Sequence, residues 1–300
     1  DRPMHKSNYV RGLTYAAITA LLWGFLPILM KIALQEFSGG SIVWFRFTFA
    51  FGVLFLILKF QKKRPESIIL SPPGFGILAG IFLAGNYYYF LKGVETSSPS
   101  NAGILIQTAP VLLVILGVVL FKERFHRKQG IGLAIAVVGF VIFYRDQSRQ
   151  WGAEVYTDAS LYVEAAALLW VGYMVFLKKL SVLHEAQHLN LLVYGTAALV
   201  LIPAVIWTDF NNTHFGSWML MIFLGVNTLL AYGCLAESVK YIPLWLLSMV
   251  ITLNPFITLA VMHILPLVAP GLVAPEIIGL WGYIGACIAV FGVVMVIRKD

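Results

Sequence analysis

Ten apolar runs, each near the length that crosses a lipid bilayer as a helix, divide this chain from end to end. They are Leu13–Ile32, Ile42–Leu58, Phe75–Leu91, Ala102–Phe121, Gly130–Tyr144, Ser160–Leu177, Leu189–Trp207, Trp218–Leu235, Leu244–Leu265 and Gly279–Ile297. In hydrocarbon each backbone N–H and C=O must be satisfied inside the protein, and continuous runs of this length do so as helices. Of the 300 residues 60% are hydrophobic and only 12% charged, against about 25% charged in an ordinary soluble domain. A water-soluble fold could not cover its surface with so few charges. The sequence therefore predicts an all-α membrane protein of ten transmembrane helices, and it excludes a soluble enzyme.

The loops test that division. The formal charge of +7 could suggest a nucleic-acid partner, but the basic residues punctuate apolar runs instead of gathering on one domain, so none is expected. With the N-terminus in the cytoplasm, sixteen of the 21 Lys and Arg fall on the cytoplasmic side: Arg2, Lys6, Arg11, Lys59, Lys62, Lys63, Arg64, Lys122, Arg124, Arg127, Lys128, Lys178, Lys179, Lys240, Arg298 and Lys299. Four fall outside, Lys31, Lys92, Arg145 and Arg149, and Arg46 lies within a span. Cytoplasmic loops carry the excess of Lys and Arg, so both termini are expected in the cytoplasm of an inner or plasma membrane. The first run lacks a clear small-residue cleavage site after it and is expected to stay as a span. Cys234 and Cys287 sit in apolar stretches and imply no disulfide framework.

Internal repetition gives the next level of order. Ala20-Leu21-Leu22-Trp23 in span 1 returns as Ala167-Leu168-Leu169-Trp170 in span 6. The Ala109-Pro110 step of span 4 is matched by Asn254-Pro255 in span 9, and Gly132 with Gly139 in span 5 by Gly285 with Gly292 in span 10. Their common order predicts two five-helix repeats, residues 11–150 and 151–300. Five is odd, so the repeats must be inserted in opposite senses, a recurrent transporter plan with its site at the midplane.

On these residues the chain resembles the drug/metabolite transporter superfamily, specifically its EamA-type ten-helix members. The resemblance rests on Leu22-Trp23-Gly24 followed by Pro27 and Lys31, on Phe45-Arg46-Phe47, and on Ser100-Asn101-Ala102-Gly103 leading to Pro110. It continues through Phe121-Lys122-Glu123-Arg124-Phe125 before Gln129-Gly130 and Gly139. In the second half the chain departs from the family's Gly-Glu loop, with His263-Ile264-Leu265-Pro266 and an apolar, proline-rich stretch to Pro275. The resemblance implies a carrier that moves a small metabolite, an amino acid or related compound, outward, with spans 3, 4, 8 and 9 lining a cavity.

Polar side chains at membrane depth are costly, and each is a site candidate. Asn86, Gln107, Asn227 and Asn254 are the candidates on those four spans, and interhelical hydrogen bonding is their alternative role. Tyr89 and Phe90 share the helix face of Asn86 at i+3 and i+4. Trp23, Trp170 and Tyr173 supply aromatic walls that suit an organic solute, or could cage an organic cation as an alternative substrate. Glu164, near the outer end of span 6, is a candidate proton site. Arg46 is read as a candidate charge site, as snorkelling outward, or as anchoring a helix contact. Pro27, Pro110 and Pro255 each free a backbone carbonyl and mark hinges or helix breaks.

One enzyme signature competes. His184-Glu185-Ala186-Gln187-His188 matches H-E-x-x-H, which on a helix would place two imidazoles toward a zinc ion. It falls in a cytoplasmic connection without an obvious third ligand, so an intramembrane zinc metalloprotease is the alternative and no metal or other cofactor is expected. The glycine stripes of spans 5 and 10 suit close packing or dimerisation. The expected partners are a small-molecule substrate, the bilayer, a coupling proton or counter-substrate, and at most a second copy of the chain.

Overall fold

In a computed structural model, residues 6–121, 126–180, 183–211, 214–242, 247 and 250–297 are described. Every regular element among them is helical. In chain order these are α1 (Lys6–Ala33), α2 (Gly39–Phe60), α3 (Glu66–Leu70), α4 (Gly74–Thr96), α5 (Pro99–Leu105), α6 (Thr108–Phe121), α7 (Arg127–Trp151), α8 (Ala153–Leu180), α9 (Ala186–Leu201), α10 (Phe215–Tyr241), α11 (Asn254–Val268) and α12 (Leu280–Ile297). Two 3₁₀ turns, Ile202–Ala204 and Trp207–Phe210, join α9 to α10.

Among the described residues eight helices are long and apolar enough to cross a membrane: α1, α2, α4, α7, α8, α9, α10 and α12. The other two expected spans are not single helices. The fourth is split into α5 and α6 at Ile106-Gln107, and in the ninth the helical residues Leu247, Val250 and Ile251 are parted from α11 by a turn at Thr252-Leu253. Residues 122–125 of the basic motif lie outside the described residues.

Helix ends carry their own caps. Ser38 and Ser98 accept from the backbone N–H three residues on, at the starts of α2 and α5. At α7 the Gln129 side chain reaches back to the N–H of His126 at 3.0 Å, a capping-box arrangement. Lys31, in the last turn of α1, gives its ammonium protons to the carbonyls of Val94, Glu95 and Ser97 at 2.8, 3.0 and 3.2 Å. It thereby closes the orphan carbonyls and negative dipole end of α4.

The helices pack in pairs: α7 with α12, α4 with α8, α1 with α10, and α2 with α9. A close backbone approach joins α7 to α12. A methyl group at Gly139 would stand 2.1 Å from the Ala289 nitrogen, and one at Gly292 would stand 2.2 Å from the Ala136 nitrogen. Gly132 and Gly285 meet backbone of the opposing helix at 2.9 and 2.5 Å. Small residues let backbones approach where lipid supplies no hydrophobic drive between helices. The stripes thus pack on each other within the chain, which removes them as a dimerisation surface.

Two features extend further than the sequence pattern suggests. α7 runs to Trp151 and α8 begins at Ala153, so the joint is Gly152 alone, at φ +86°. Beyond α11 the proline-rich stretch lies across one end of the bundle. Gln35 donates to the Leu272 carbonyl at 2.9 Å, Glu276 accepts from the Ser100 N–H at 3.0 Å, and Asp146 accepts from the Gly279 N–H at 3.0 Å. Large apolar side chains remain exposed around the bundle, among them Leu56, Leu168 and Phe291, as a lipid-facing surface requires. Cys287 belongs to that exposed surface and not to the packing.

Replacing Gly139 with Val should cost at least 1–3 kcal/mol, roughly the penalty of overpacking, and abolish a sharp thermal transition in detergent. Gly233→Ala, where an added methyl meets nothing within 4 Å, should hold or raise the midpoint.

At the end of the bundle where α1 meets α2, Asp209 is partly desolvated. Hydrogen bonds from the Ser38 N–H and from the hydroxyls of Ser38 and Ser41 outweigh that, so its carboxyl is held below the usual range. A depressed carboxyl contributes stability above its unfolded value, about 3.9, and loses it as pH falls through the folded value. Asp209→Asn should therefore lower the unfolding temperature at pH 7, with the gap to the parent closing below about pH 4.

Candidate functional site

Between α1, α4, α5, α6, α8, α10 and α11 lies a cleft of about 800 Å³ including its open mouth. Ligand clefts are mostly apolar with a few placed polar groups. Its floor forms where the two interrupted segments meet. Gln107, in the gap between α5 and α6, donates to Oδ1 of Asn254, the first residue of α11, at 3.1 Å. This bond uses one donor and one acceptor of the pair and leaves Gln107 Oε1 and Asn254 Nδ2 without a partner among the described residues.

The breaks have local causes. Pro27 cannot donate to the Trp23 carbonyl, yet α1 runs through it without the break expected there, whereas Pro110 cannot donate to the Ile106 carbonyl at the real break. The latter carbonyl is taken by the Ala109 N–H at 3.0 Å. Pro255 stands in the first turn of α11, where a missing N–H costs nothing. Close by, Thr258 donates to the Gly24 carbonyl at 2.7 Å and ties α11 to α1.

Aromatic side chains form the walls. Trp23 and Trp170 both line the cleft, with Phe90, Tyr87 and Tyr232. Trp23 meets the Tyr232 ring edge-on at 5.5 Å, and the Tyr87 hydroxyl donates to that of Tyr232 at 3.2 Å. Asn86 lines the cleft while its Nδ2 donates to the Ala166 carbonyl at 2.8 Å.

Of the residues singled out from sequence, Trp23, Asn86, Phe90, Gln107, Trp170, Asn254, Pro27 and Pro110 come together here. Four do not. Tyr89 is 38% exposed and stacks on Tyr162 on the outside of the bundle. Tyr173 is buried in the main apolar core. Asn227 is buried, its Nδ2 bonded to the Leu22 carbonyl at 3.1 Å, so it joins α10 to α1 away from the cleft. Pro255 is buried beside Gly103 without reaching the cleft.

Glu164 differs from expectation, and for Arg46 the helix-anchoring reading fits while the snorkelling one does not. Glu164 lies well inside α8, not at its end, because α8 starts at Ala153. Its Oε2 accepts from the Thr108 hydroxyl at 2.9 Å, next to the break before α6. Arg46 does not snorkel. It is wholly buried, and its Nε and Nη2 donate to Thr228 Oγ1 at 3.1 and 2.9 Å.

Sequence reasoning missed Tyr87, Tyr232, Gly103 and Thr258 on the lining. Tyr87 was within reach: in the run Tyr87-Tyr88-Tyr89 the face is set by Asn86, Tyr87 and Phe90, at i, i+1 and i+4, whereas i+3 selects Tyr89. A second, aromatic crevice, lined by Trp44, Phe49, Trp207 and Trp218 among others, opens beside α2, away from the seam.

The H-E-x-x-H string loses its geometry. α9 begins at Ala186, so His184 precedes the helix and shares no helical face with His188. His188 Nε2 bonds to the Lys63 carbonyl at 2.8 Å, and Glu185 pairs with Lys63 at 3.4 Å. Among the described residues no three His, Cys, Asp or Glu gather as a metal site.

Membrane-length helices around a mostly apolar, aromatic-walled cleft with a few placed amides define an integral membrane transporter. The model of the EamA-like transporter family matches residues 10–145 and 159–298, and the chain belongs to this family, within the drug/metabolite transporter type. It is 30% identical over 293 residues to an uncharacterized transporter of Haemophilus influenzae, covering 97% of this chain and 95% of that one. It is also 30% identical over 288 residues to the uncharacterized inner membrane transporter YhbE of Escherichia coli, covering 94% and 89%. A probable amino-acid metabolite efflux pump of Escherichia coli is 23% identical over 259 residues, covering 82% and 83%. A solved crystal structure, 19% identical, superposes with a TM-score of 0.64 over 97% of this chain and 96% of its own, and shares the fold.

If the Gln107–Asn254 bond holds the floor, a double-mutant cycle to Ala at both positions should give a coupling of about 0.6 kcal/mol, and at most roughly 1.7, the span measured between membrane helices. Equal, additive losses in detergent unfolding would show that the two residues do not support each other.

Proposed function

We propose that this protein is an inner-membrane carrier that exports a small organic metabolite, an amino acid or a related compound, by alternating access. In this reading ten spans form two inverted five-helix halves, residues 11–150 and 151–300, with both termini in the cytoplasm. α5 with α6 is the fourth span, and α11 completes the ninth.

The observation that carries the reading is the Gln107–Asn254 bond. It joins the interrupted helix of each half at the floor of a cleft whose walls include Trp23 from one half and Trp170 from the other. Broken helices meeting at a repeat interface are where secondary transporters hold their substrates. The packing supports the division. Exchanging the halves turns the α1–α10 pair into α8–α4 and returns the α2–α9 and α7–α12 pairs to themselves. Asn86 donating to Ala166 has its counterpart in Asn227 donating to Leu22.

The family match in two similar stretches agrees with this. The names of the relatives supply inner membrane and amino-acid efflux as the starting point for substrate and direction. Glu164, held by Thr108 beside the break, is the group proposed to carry a coupling proton, with a counter-substrate as the alternative.

Proteoliposomes preloaded with unlabelled amino acids should take up labelled ones in a saturable manner and faster than empty vesicles. Trp170→Ala should raise KM several-fold with little change in protein stability. A flux that rises linearly and ignores the internal load would mean a channel, and no flux for any amino acid would remove this substrate class.

A further inference from the structure

The guanidinium of Arg46 lies at the centre of the bundle with no anionic partner among the described residues. It is wholly buried, and its donors meet only neutral acceptors: Thr228 Oγ1 twice, and Met30 Sδ at 3.0 Å. The nearest aromatic face is that of Tyr87, whose ring centroid is 4.8 Å from Cζ. Tyr87 also lines the cleft, so one side chain separates the buried cation from the solute space.

A charge at membrane depth is ordinarily paired, because an uncompensated one is costly. Among the described residues no carboxylate lines the cleft, and Glu164 lies off the lining with its Oε2 accepting from Thr108. The field of Arg46 therefore reaches the cleft with no carboxylate on the lining to oppose it, in surroundings where screening is weak. The Tyr87 hydroxyl donates to Tyr232, which leaves the Tyr232 proton uncommitted among the described residues.

From this arrangement we propose that the recognised group of the substrate is a carboxylate, seated against Tyr87 and Tyr232 and held by the charge of Arg46. This rests on the carrier reading above and deepens it. An ammonium group finds only amide oxygens and ring faces there, and is repelled by the same charge. The order of preference is then anion, zwitterion, cation. Arg46 is a positioning and selectivity residue that acts through Tyr87 without touching the solute.

Four probes on one frame test this by thermal shift of the intact protein in detergent: 3-phenylpropionate, phenylalanine, phenylalaninamide and phenethylamine. Those bearing a carboxylate should stabilise the parent protein at concentrations roughly tenfold below those needed for the other two, the order expected of one weakly screened charge. In Arg46→Met the preference should shrink to about twofold, and in Arg46→Lys, which keeps the charge, it should survive. If Arg46→Met does not fold, Tyr232→Phe serves instead, with weaker carboxylate binding and unchanged phenethylamine binding expected. Phenethylamine binding as tightly as 3-phenylpropionate in the parent protein overturns the proposal and leaves the carrier reading intact, with an organic cation as cargo. Failure of all four probes to bind removes the cleft as a solute site, and the proposal falls with it.

Discussion

Hydrocarbon offers no partner to a backbone amide, so a helix that stops at membrane depth must be completed by protein. That constraint organises the centre of this molecule. Where the chain breaks between α5 and α6, the Ala109 N–H takes up the Ile106 carbonyl and Gln107 turns its amide to Asn254 at the start of α11. Where α11 approaches α1, Thr258 serves the Gly24 carbonyl. The polar groups that line the cleft are thus the same groups that make two interrupted helices tolerable. Cleft lining and structural repair are one feature.

The remainder of the fold surrounds this seam with contacts of a different kind. α7 and α12 interlock backbone against backbone through Gly132, Gly139, Gly285 and Gly292, with no room for a methyl group. α4 and α8 are pinned by Asn86 to the Ala166 carbonyl, and α1 and α10 by Asn227 to Leu22, Thr19 to Ala231 and Ser238 to Gly12. One end of the bundle is laced by charged and amide side chains on connections: Lys31 to the end of α4, Asp209 to Ser38, Glu276 to Ser100 and Asp146 to Gly279. Rigid ribs and a polar seam coexist because small residues and side-chain amides were placed on separate helix faces.

Much of this was legible in the chain. Hydropathy located the eight membrane-length helices, and the recurrence of paired glycines pointed to the stripes that pack together in α7 and α12. The seam residues Gln107 and Asn254 announced themselves as amides beside prolines in apolar runs. What escaped was phase and depth. Helix phase decided between Tyr87 and Tyr89, and a one-residue difference turns a side chain by about 100°. Depth decided Arg46 and Glu164. The helix containing Glu164 begins seven residues before the apolar run does, so a residue placed near an end lies well inside. The four tight glycine contacts could not be anticipated as mutual, since a stripe of small residues reads the same whether its partner is in the same chain or another. The zinc signature failed because helix α9 starts two residues after His184.

A last consequence concerns Gly152. A single residue, in a backbone conformation that L side chains seldom adopt, couples the final turn of α7 to the first of α8. Two long levers fastened this closely cannot part at the fastening. Any tilt of one against the other must grow with distance from that pin, so the widest swing belongs to the far ends of the bundle. There α9 begins near Glu185 and the chain from α2 turns at Lys63. Exposed ion pairs such as Lys63 with Glu185 are easily broken and remade in water, which makes them suitable fasteners for an edge that travels.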